Sequence, residues 1–334
     1  MIVNRLVRFV ALFIALVSAS HAALAVCNIN GAGMNMTPGT ANSGTYTPPN
    51  APASVPISVT ITGTYSTNAT GGTCTLALSF QRASYPPATM ARSGGGSTLT
   101  YTISSGTGGT GNALLFTGTS VAFANVLQYS FASAGNNITN RAFTANLTIY
   151  VTMQPTSNQQ AGSYTDNLTA WVFNIASGSS VYSRAFSVTG TVNKACTIGG
   201  VYTPTADSAT VPVSTAGAVN TATINKSYTS VQCNTPSNVQ LTSQNGAVRN
   251  TGTAPSGFSN QINYSATATF SGATASVNTA TNTAATGPES GTAVSTTGTT
   301  PTGNLDVAIT PQTNAQRLIA GSYADVLRIT IVPQ

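Results

Sequence analysis

One eight-residue pattern occurs twice in this chain: Ala161-Gly162-Ser163-Tyr164-Thr165-Asp166-Asn167-Leu168 and Ala320-Gly321-Ser322-Tyr323-Ala324-Asp325-Val326-Leu327. The surroundings repeat as well. Cys27 is followed by Gly44-Thr45-Tyr46-Thr47-Pro48, and Cys196 by Gly200-Val201-Tyr202-Thr203-Pro204. Each half then runs through apolar–polar alternation to a Tyr and a second Cys: Val59 to Tyr65 before Cys74, and Tyr228 to Gln232 before Cys233. Leu76-Ala77-Leu78-Ser79-Phe80 and Val239-Gln240-Leu241 come next, and later the Tyr-containing runs Leu99 to Ile103 and Ile262 to Ala266. Repetition in this order indicates a duplication and two related folding units.

Short alternating runs broken by Gly, Pro, Asn and Ser are the signature of antiparallel sheets, and no window of useful length has helical periodicity. The expected fold is all-β: two Ig-like antiparallel β-sandwiches, spanning 26–192 and 193–334. The junction Val192-Asn193-Lys194-Ala195 is short enough to hold the two close together. The Thr, Ala, Gly, Ser and Asn of 271–304 read as long loops with at most one weak strand.

Residues 1–25 have the form of a secretory signal. Arg5 and Arg8 precede an apolar run from Phe9 to Val17, and Ala23-Leu24-Ala25 offers a small-x-small cleavage site. The run is too short to span a bilayer. Export favours disulfides, and the spacings are too wide for a CxxC redox or zinc site. Four cysteines allow three pairings, of which the repeat favours Cys27–Cys74 and Cys196–Cys233. Each would close a loop worth about 3–4 kcal/mol.

Several function classes are disfavoured. The single histidine, His21, lies inside the signal, which removes a Ser-His-Asp triad and His-ligated metal. No paired carboxylates stand out, and Gly94-Gly95-Gly96 lacks the Lys and helix of a phosphate loop. The expectation is a protein that is not an enzyme and takes no cofactor or metal. Eleven Lys/Arg, two of them in the signal, against five Asp/Glu give a basic chain without a basic cluster, so nucleic acid is not an expected partner.

In the repeated motif, Gly162 and Gly321 supply a turn, after which Tyr164 and Tyr323 open a strand. Period 2 places Tyr323, Asp325, Leu327, Ile329 and Ile331 on one face, which must be largely core. Each Tyr suits a tyrosine corner, ring buried and hydroxyl returned to backbone. Asp166 and Asp325 are expected at the rim, accepting backbone N–H groups of the preceding turn rather than acting in catalysis. The sequels of the two copies differ. The first continues to Ile175, turns at Ala176-Ser177-Gly178-Ser179 and returns as Val181 to Val192, with Tyr182, Phe186 and Val188 apolar. After the second copy seven residues remain, to Gln334. The second sandwich is therefore expected to lack its last strand and to need one from another chain.

In their order and duplication, these features resemble the spore coat protein U family, which includes subunits of archaic chaperone–usher pili. The features are the signal, a Cys soon after it, Gly-x-Tyr-x-Pro, a second Cys, a Tyr strand and a final Ala-Gly-Ser-Tyr-x-Asp-x-Leu strand. The match is best over 196–334. The resemblance implies an incomplete pilin fold at 193–334, completed by a periplasmic chaperone, passed to an outer-membrane usher and then filled by the strand of an adjacent subunit. In that family the donor strand precedes the first Cys; Cys27 stands about two residues after the expected cleavage site, so the chain is expected to accept a strand without giving one. A secreted tip adhesin on the cell surface follows, mediating attachment and biofilm formation on an abiotic or host surface. A structural shaft or coat subunit is the alternative. The expected adhesive loop is Tyr85, Pro86, Pro87 and Met90, since Pro-Pro cannot sit in a central strand. Leu114 to Phe116, Val121 to Leu127 and Trp171 read as core.

Overall fold

A computed structural model describes residues 27–67, 73–82, 88–116, 126–132, 138–201, 206–281 and 287–334. The signal segment, Tyr85, Pro86, Pro87 and residues 121–125 fall outside the described residues.

The first unit contains β1 (Cys27–Thr37), β2 (Thr40–Tyr46), β3 (Ser54–Thr67), β4 (Thr73–Gln81), β5 (Thr89–Arg92) and β6 (Thr98–Ser104). It continues with β7 (Leu115–Phe116), β8 (Leu127–Ala132), β9 (Ile138–Gln154), β10 (Gly162–Asn174) and β11 (Ser179–Val192). The second unit opens with β12 (Cys196–Ile198), β13 (Ile224–Cys233), β14 (Ser237–Ser243), β15 (Val248–Arg249), β16 (Phe258–Ser259) and β17 (Gln261–Ile262). Then follow β18 (Tyr264–Phe270), β19 (Ala273–Asn278), β20 (Glu289–Ser290), β21 (Val294–Ser295), β22 (Thr302–Pro311), β23 (Arg317–Leu318) and β24 (Leu327–Pro333). Helical structure among the described residues is confined to single 3₁₀ turns.

The duplication is visible in the pairing. One layer of the first unit runs β1-β3-β9-β6-β5, and one layer of the second runs β12-β13-β22-β18-β19 in the same order. In the other layer, β10 pairs with β4 and β11, and β14 pairs with β24. Ala170 faces Phe80 and Val172 faces Leu78, as Ile329 faces Leu241 and Ile331 faces Val239. The register therefore matches Val239 and Leu241 with Leu78 and Phe80.

Here the units diverge. In the first, β11 pairs with β10 along its whole length and is flanked on its far side by β2. The β2–β11 pair is parallel, a departure from a purely antiparallel sandwich. In the second, no described strand pairs with the far edge of β24, and none stands where β2 would. Burial follows. Tyr164, Ala170 and Val172 are 0% exposed, while Tyr323, Ile329 and Ile331 at the matching places are only partly buried.

Both disulfides form, but at different places: Cys27–Cys74 joins β1 to β4, whereas Cys196–Cys233 joins β12 to its sheet neighbour β13, the counterpart of β3. The segment 271–304 holds more structure than its composition suggests. Ala273, Ala275 and Val277 alternate inward in β19, with Thr274, Ser276 and Asn278 outward, and β20 and β21 follow. Small alanines meet the period-2 rule without giving a strong hydrophobic signal.

Candidate strand-binding groove

The two corners are built alike. Gly162 (φ 143°) and Gly321 (φ 136°) take a left-handed backbone that a side chain would strain, and a Cβ at either would also collide, with Arg92 or with Asn250. Each tyrosine then returns its hydroxyl to the carbonyl four residues earlier: Tyr164 to Gln160 (2.5 Å) and Tyr323 to Ile319 (3.0 Å). These are the tyrosine corners expected of such sandwiches.

The aspartates do something other than cap the preceding turn. The Tyr101 hydroxyl donates to Asp166 (2.7 Å) and Arg82 Nε pairs with it (2.9 Å). Asp325 accepts from Tyr264 (2.5 Å), from the Ser243 hydroxyl (2.5 Å) and from the N–H groups of Asn245 (2.9 Å) and Val326 (2.8 Å). The strand geometry gives the reason. On period 2 the carboxylate points inward, towards the Tyr-bearing strand of the facing layer, so a half-buried acceptor meets the hydroxyl of a buried tyrosine. Tyr101 and Tyr264 were visible as matching strand residues, but nothing local named their partners. Where the first unit supplies Arg82, the second supplies Ser243.

Burial, then the hydrogen bond to the neighbouring carboxylate, raises the hydroxyl of Tyr101 above its ordinary value of 10.0, and Tyr264 is raised likewise. The folded state holds these protons more tightly than the unfolded chain. Their contribution is therefore complete below about pH 10 and is lost as pH rises beyond it. Tyr101→Phe should lower stability at neutral pH by about 1–2 kcal/mol and reduce the loss above pH 10. Denaturant titration of both proteins between pH 7 and 11 checks this; parallel alkaline profiles would refute it.

Beside the second corner lies a groove of about 660 Å³. Tyr323, Asp325, Leu327 and Ile329 form one wall, and Ile224, Tyr228, Val307 and Ile309 of β13 and β22 form the floor. The opposite rim is residues 206–213, which carry no assigned strand except the Val213–Val219 bridge. Asp207 fastens this rim to β13 through Lys226 (3.1 Å) and the Tyr228 hydroxyl (3.4 Å). Lys226 holds the exposed Asp207 carboxyl below its usual range. The groove is thus mainly apolar and bordered by the edge of β24 away from β14, with which no described strand pairs. Apolar side chains beside an open main-chain edge are the chemistry that recognises an extended strand.

Of the expected adhesive loop only Met90 lies among the described residues. Met90 is 0% exposed, inside β5 and packed in the first core, so it is not a surface residue; its neighbours Tyr85, Pro86 and Pro87 are outside the described residues. Alternation explains this: β5 turns Met90 inward between Thr89 and Ala91, a strand that the nearby Pro-Pro concealed. Leu114 is fully buried and Leu115 packs against the same core. Trp171 lies on the outer face instead, opposite Ala170 and Val172. It is half-buried in a small cluster with Phe116, Val126 and Phe173, its indole N–H bonded to Gln81 (2.8 Å).

No protein-family model matches the chain, and no curated protein matches it, so the likeness to spore coat protein U rests on motifs alone. Among solved structures the chain is similar to a chain of the CsuC–CsuE chaperone–tip adhesion subunit pre-assembly complex of archaic Csu pili from Acinetobacter baumannii. Identity is 14%, TM-score 0.40, covering 92% of this chain and 100% of that one. It is also similar to the CupB6 tip adhesin of Pseudomonas aeruginosa, at 12% identity and TM-score 0.29, covering 92% and 93%. A third is the CssB subunit complemented with a donor strand from CssA, of enterotoxigenic Escherichia coli, at 14% and 0.23, covering 50% and 100%. Likenesses at these scores carry no functional argument.

Proposed function

We propose that the chain is a strand-accepting subunit of an extracellular pilus of the archaic chaperone–usher type, with the spore coat protein U-like second unit as acceptor and the first unit as adhesin. One observation carries the reading: the groove beside β24, in a unit whose sister closes the same place with β11. A sandwich with its core open along an unpaired edge is a template for association, and it is kept soluble by a strand from elsewhere. A periplasmic chaperone, an outer-membrane usher and an adjacent subunit are the partners such a groove requires in turn. The first unit, closed by its own strand, has no need of one and is free to meet a surface at the fibre tip. The role is binding, without catalysis, and attachment and biofilm formation follow from it.

A peptide of residues 179–192 added to the full chain should bind in the groove and sharpen its unfolding transition. Leu327→Asp should weaken that binding roughly thirtyfold, since it leaves a buried polar group unpaired at a cost of about 2 kcal/mol. Equal binding by the variant would remove the groove from consideration. Gold-labelled antibody against the first unit should decorate fibre ends in electron micrographs. Label along the whole fibre would instead favour the shaft or coat role, and undiminished surface attachment after deletion of the chain would dismiss adhesion.

A further inference from the structure

Between β11 and β12 the chain passes through only Asn193, Lys194 and Ala195, a length that would ordinarily permit a hinge. The backbone groups of Asn193 and Ala195 are instead all paired. Asn193 N–H donates to Tyr46 O (2.8 Å), and its side-chain amide donates to Thr47 Oγ1 (2.8 Å), both in the first unit. The remaining partners converge on one residue. Asn234 Nδ2 donates to Asn193 O (2.8 Å), Oδ1 accepts from Ala195 N–H (2.8 Å), and its own N–H donates to Ala195 O (3.0 Å). Its carbonyl accepts from Ala161 N–H (2.9 Å), the residue that opens the repeated motif of the first unit.

We infer that Asn234 is a positioning residue that couples the two units into one rigid body. It is 4% exposed, Ala161 is 4% and Ala195 6%, so these bonds are shielded from water that could replace them. Rotation within the linker would strand several buried donors and acceptors together. The same spot also anchors the groove. The Thr235 hydroxyl donates to Gln334 O (2.8 Å) and Gln334 N–H to Pro236 O (2.8 Å), which ties the end of β24 to the residues directly after Asn234. Disulfide Cys196–Cys233 closes the remaining side. A pull along β24 therefore reaches β10 of the first unit without crossing a free joint. Only an Asn offers this set: Asp lacks the donor to Asn193 O, and Ser and Thr cannot supply both a donor and an acceptor at this span.

The test uses the full chain with Asn234→Ala, read by amide hydrogen exchange and small-angle scattering. The Ala161 and Ala195 amides should exchange about tenfold faster or more, and the scattering should report a broader range of overall dimensions. Amides inside β10 and β22 should keep their protection. A residue that merely shaped its own turn would leave Ala161 and the scattering unchanged, and that result would overturn the coupling. If Asn234→Ala unfolds the second unit, shown by lost protection in β22, Asn193→Ala decides. That variant removes the side-chain bond that holds Asn193 to the first unit at Thr47 and leaves the second unit's own bonds intact. It is combined with Asn234→Asp, which keeps the acceptor for Ala195 N–H and loses only the donor to Asn193 O. Looser scattering with β22 still protected supports the coupling, and an unchanged profile overturns it. Neither measurement needs the groove filled, so failure here would leave the strand-accepting role standing.

Discussion

Splicing a second copy of residues 175–192 after Pro333 should raise the unfolding midpoint of the second unit by about ten degrees or more. The first unit supplies the design. Asn174, the place Pro333 holds in the repeat, pairs with Ser179 across a short turn, and β11 then runs antiparallel beside β10. Phe186 falls opposite Leu168, Val188 opposite Asp166 and Gly190 opposite Tyr164. Transferred to the second unit, the same register sets an aromatic ring against Leu327, a β-branched residue against Asp325 and glycine against Tyr323. The glycine matters in its own unit, where a Cβ at 190 would meet Ser43 Oγ at 2.5 Å and Met153 Sδ at 2.9 Å. Completing the burial of Leu327, Ile329 and Ile331, and adding a buried Phe and Val, is worth about 4 kcal/mol at roughly 1.5–3 kcal/mol per large side chain. For a unit of this size each kcal/mol moves the midpoint by about 2–4 °C. The control adds one residue to the turn, which sends every inward side chain to the solvent face. Calorimetry should find the in-register chain stabilised and the shifted one unchanged. Equal stabilisation by both would mean that the groove does not read a strand.

The second large effect concerns the disulfides. Both close loops of similar size, 47 and 37 residues apart in sequence, worth about 3–4 kcal/mol each by loop closure. Their removal should nevertheless differ in consequence. The first unit has the edge of β10 covered by β11 and should survive Cys27→Ala/Cys74→Ala with a lowered midpoint. The second, with its core open along β24, has less stability in reserve and should lose cooperative folding in Cys196→Ala/Cys233→Ala. The double variant with the spliced strand should recover it. Near-UV circular dichroism and limited proteolysis distinguish these outcomes. A second unit that melts cooperatively without either disulfide or strand would contradict the idea that its open edge leaves it marginal.

Much of the groove could be read in advance because its wall is a simple alternation. Tyr323, Asp325, Leu327 and Ile329 recur every second residue and keep that inward alternation, although the paired strand itself begins only at Leu327, with Ala324 joined by a single bridge. Met90 could not be placed by the same reasoning. Its strand is only four residues long and begins close after Tyr-Pro-Pro, so the turn signal outweighed the pattern. β19 was hidden for a different reason: Ala273 and Ala275 fill the core with small side chains whose hydrophobicity barely exceeds that of their Thr and Ser neighbours. β2 was missed because it pairs in parallel with a strand whose contacts lie 146–147 positions away, as in Ser43 to Thr189 and Thr40 to Ser187.

By itself the sequence determined the duplication, the all-β class, the two corner glycines and their tyrosines, and the cysteine pairs that the repeat implied. These are local or repeated properties: backbone sterics at a glycine, the two-residue period of a strand, the same order of residues met twice. The tertiary structure alone decided the partners. It set Tyr101 on Asp166 across 65 positions, put Arg82 in one unit where Ser243 stands in the other, drew residues 206–213 along the groove, and gathered Ala161, Asn193 and Ala195 around Asn234. A buried polar atom must find a partner, but nothing near it in the chain says which. That choice belongs to the packing of two sheets, where distance in sequence has no bearing on distance in space.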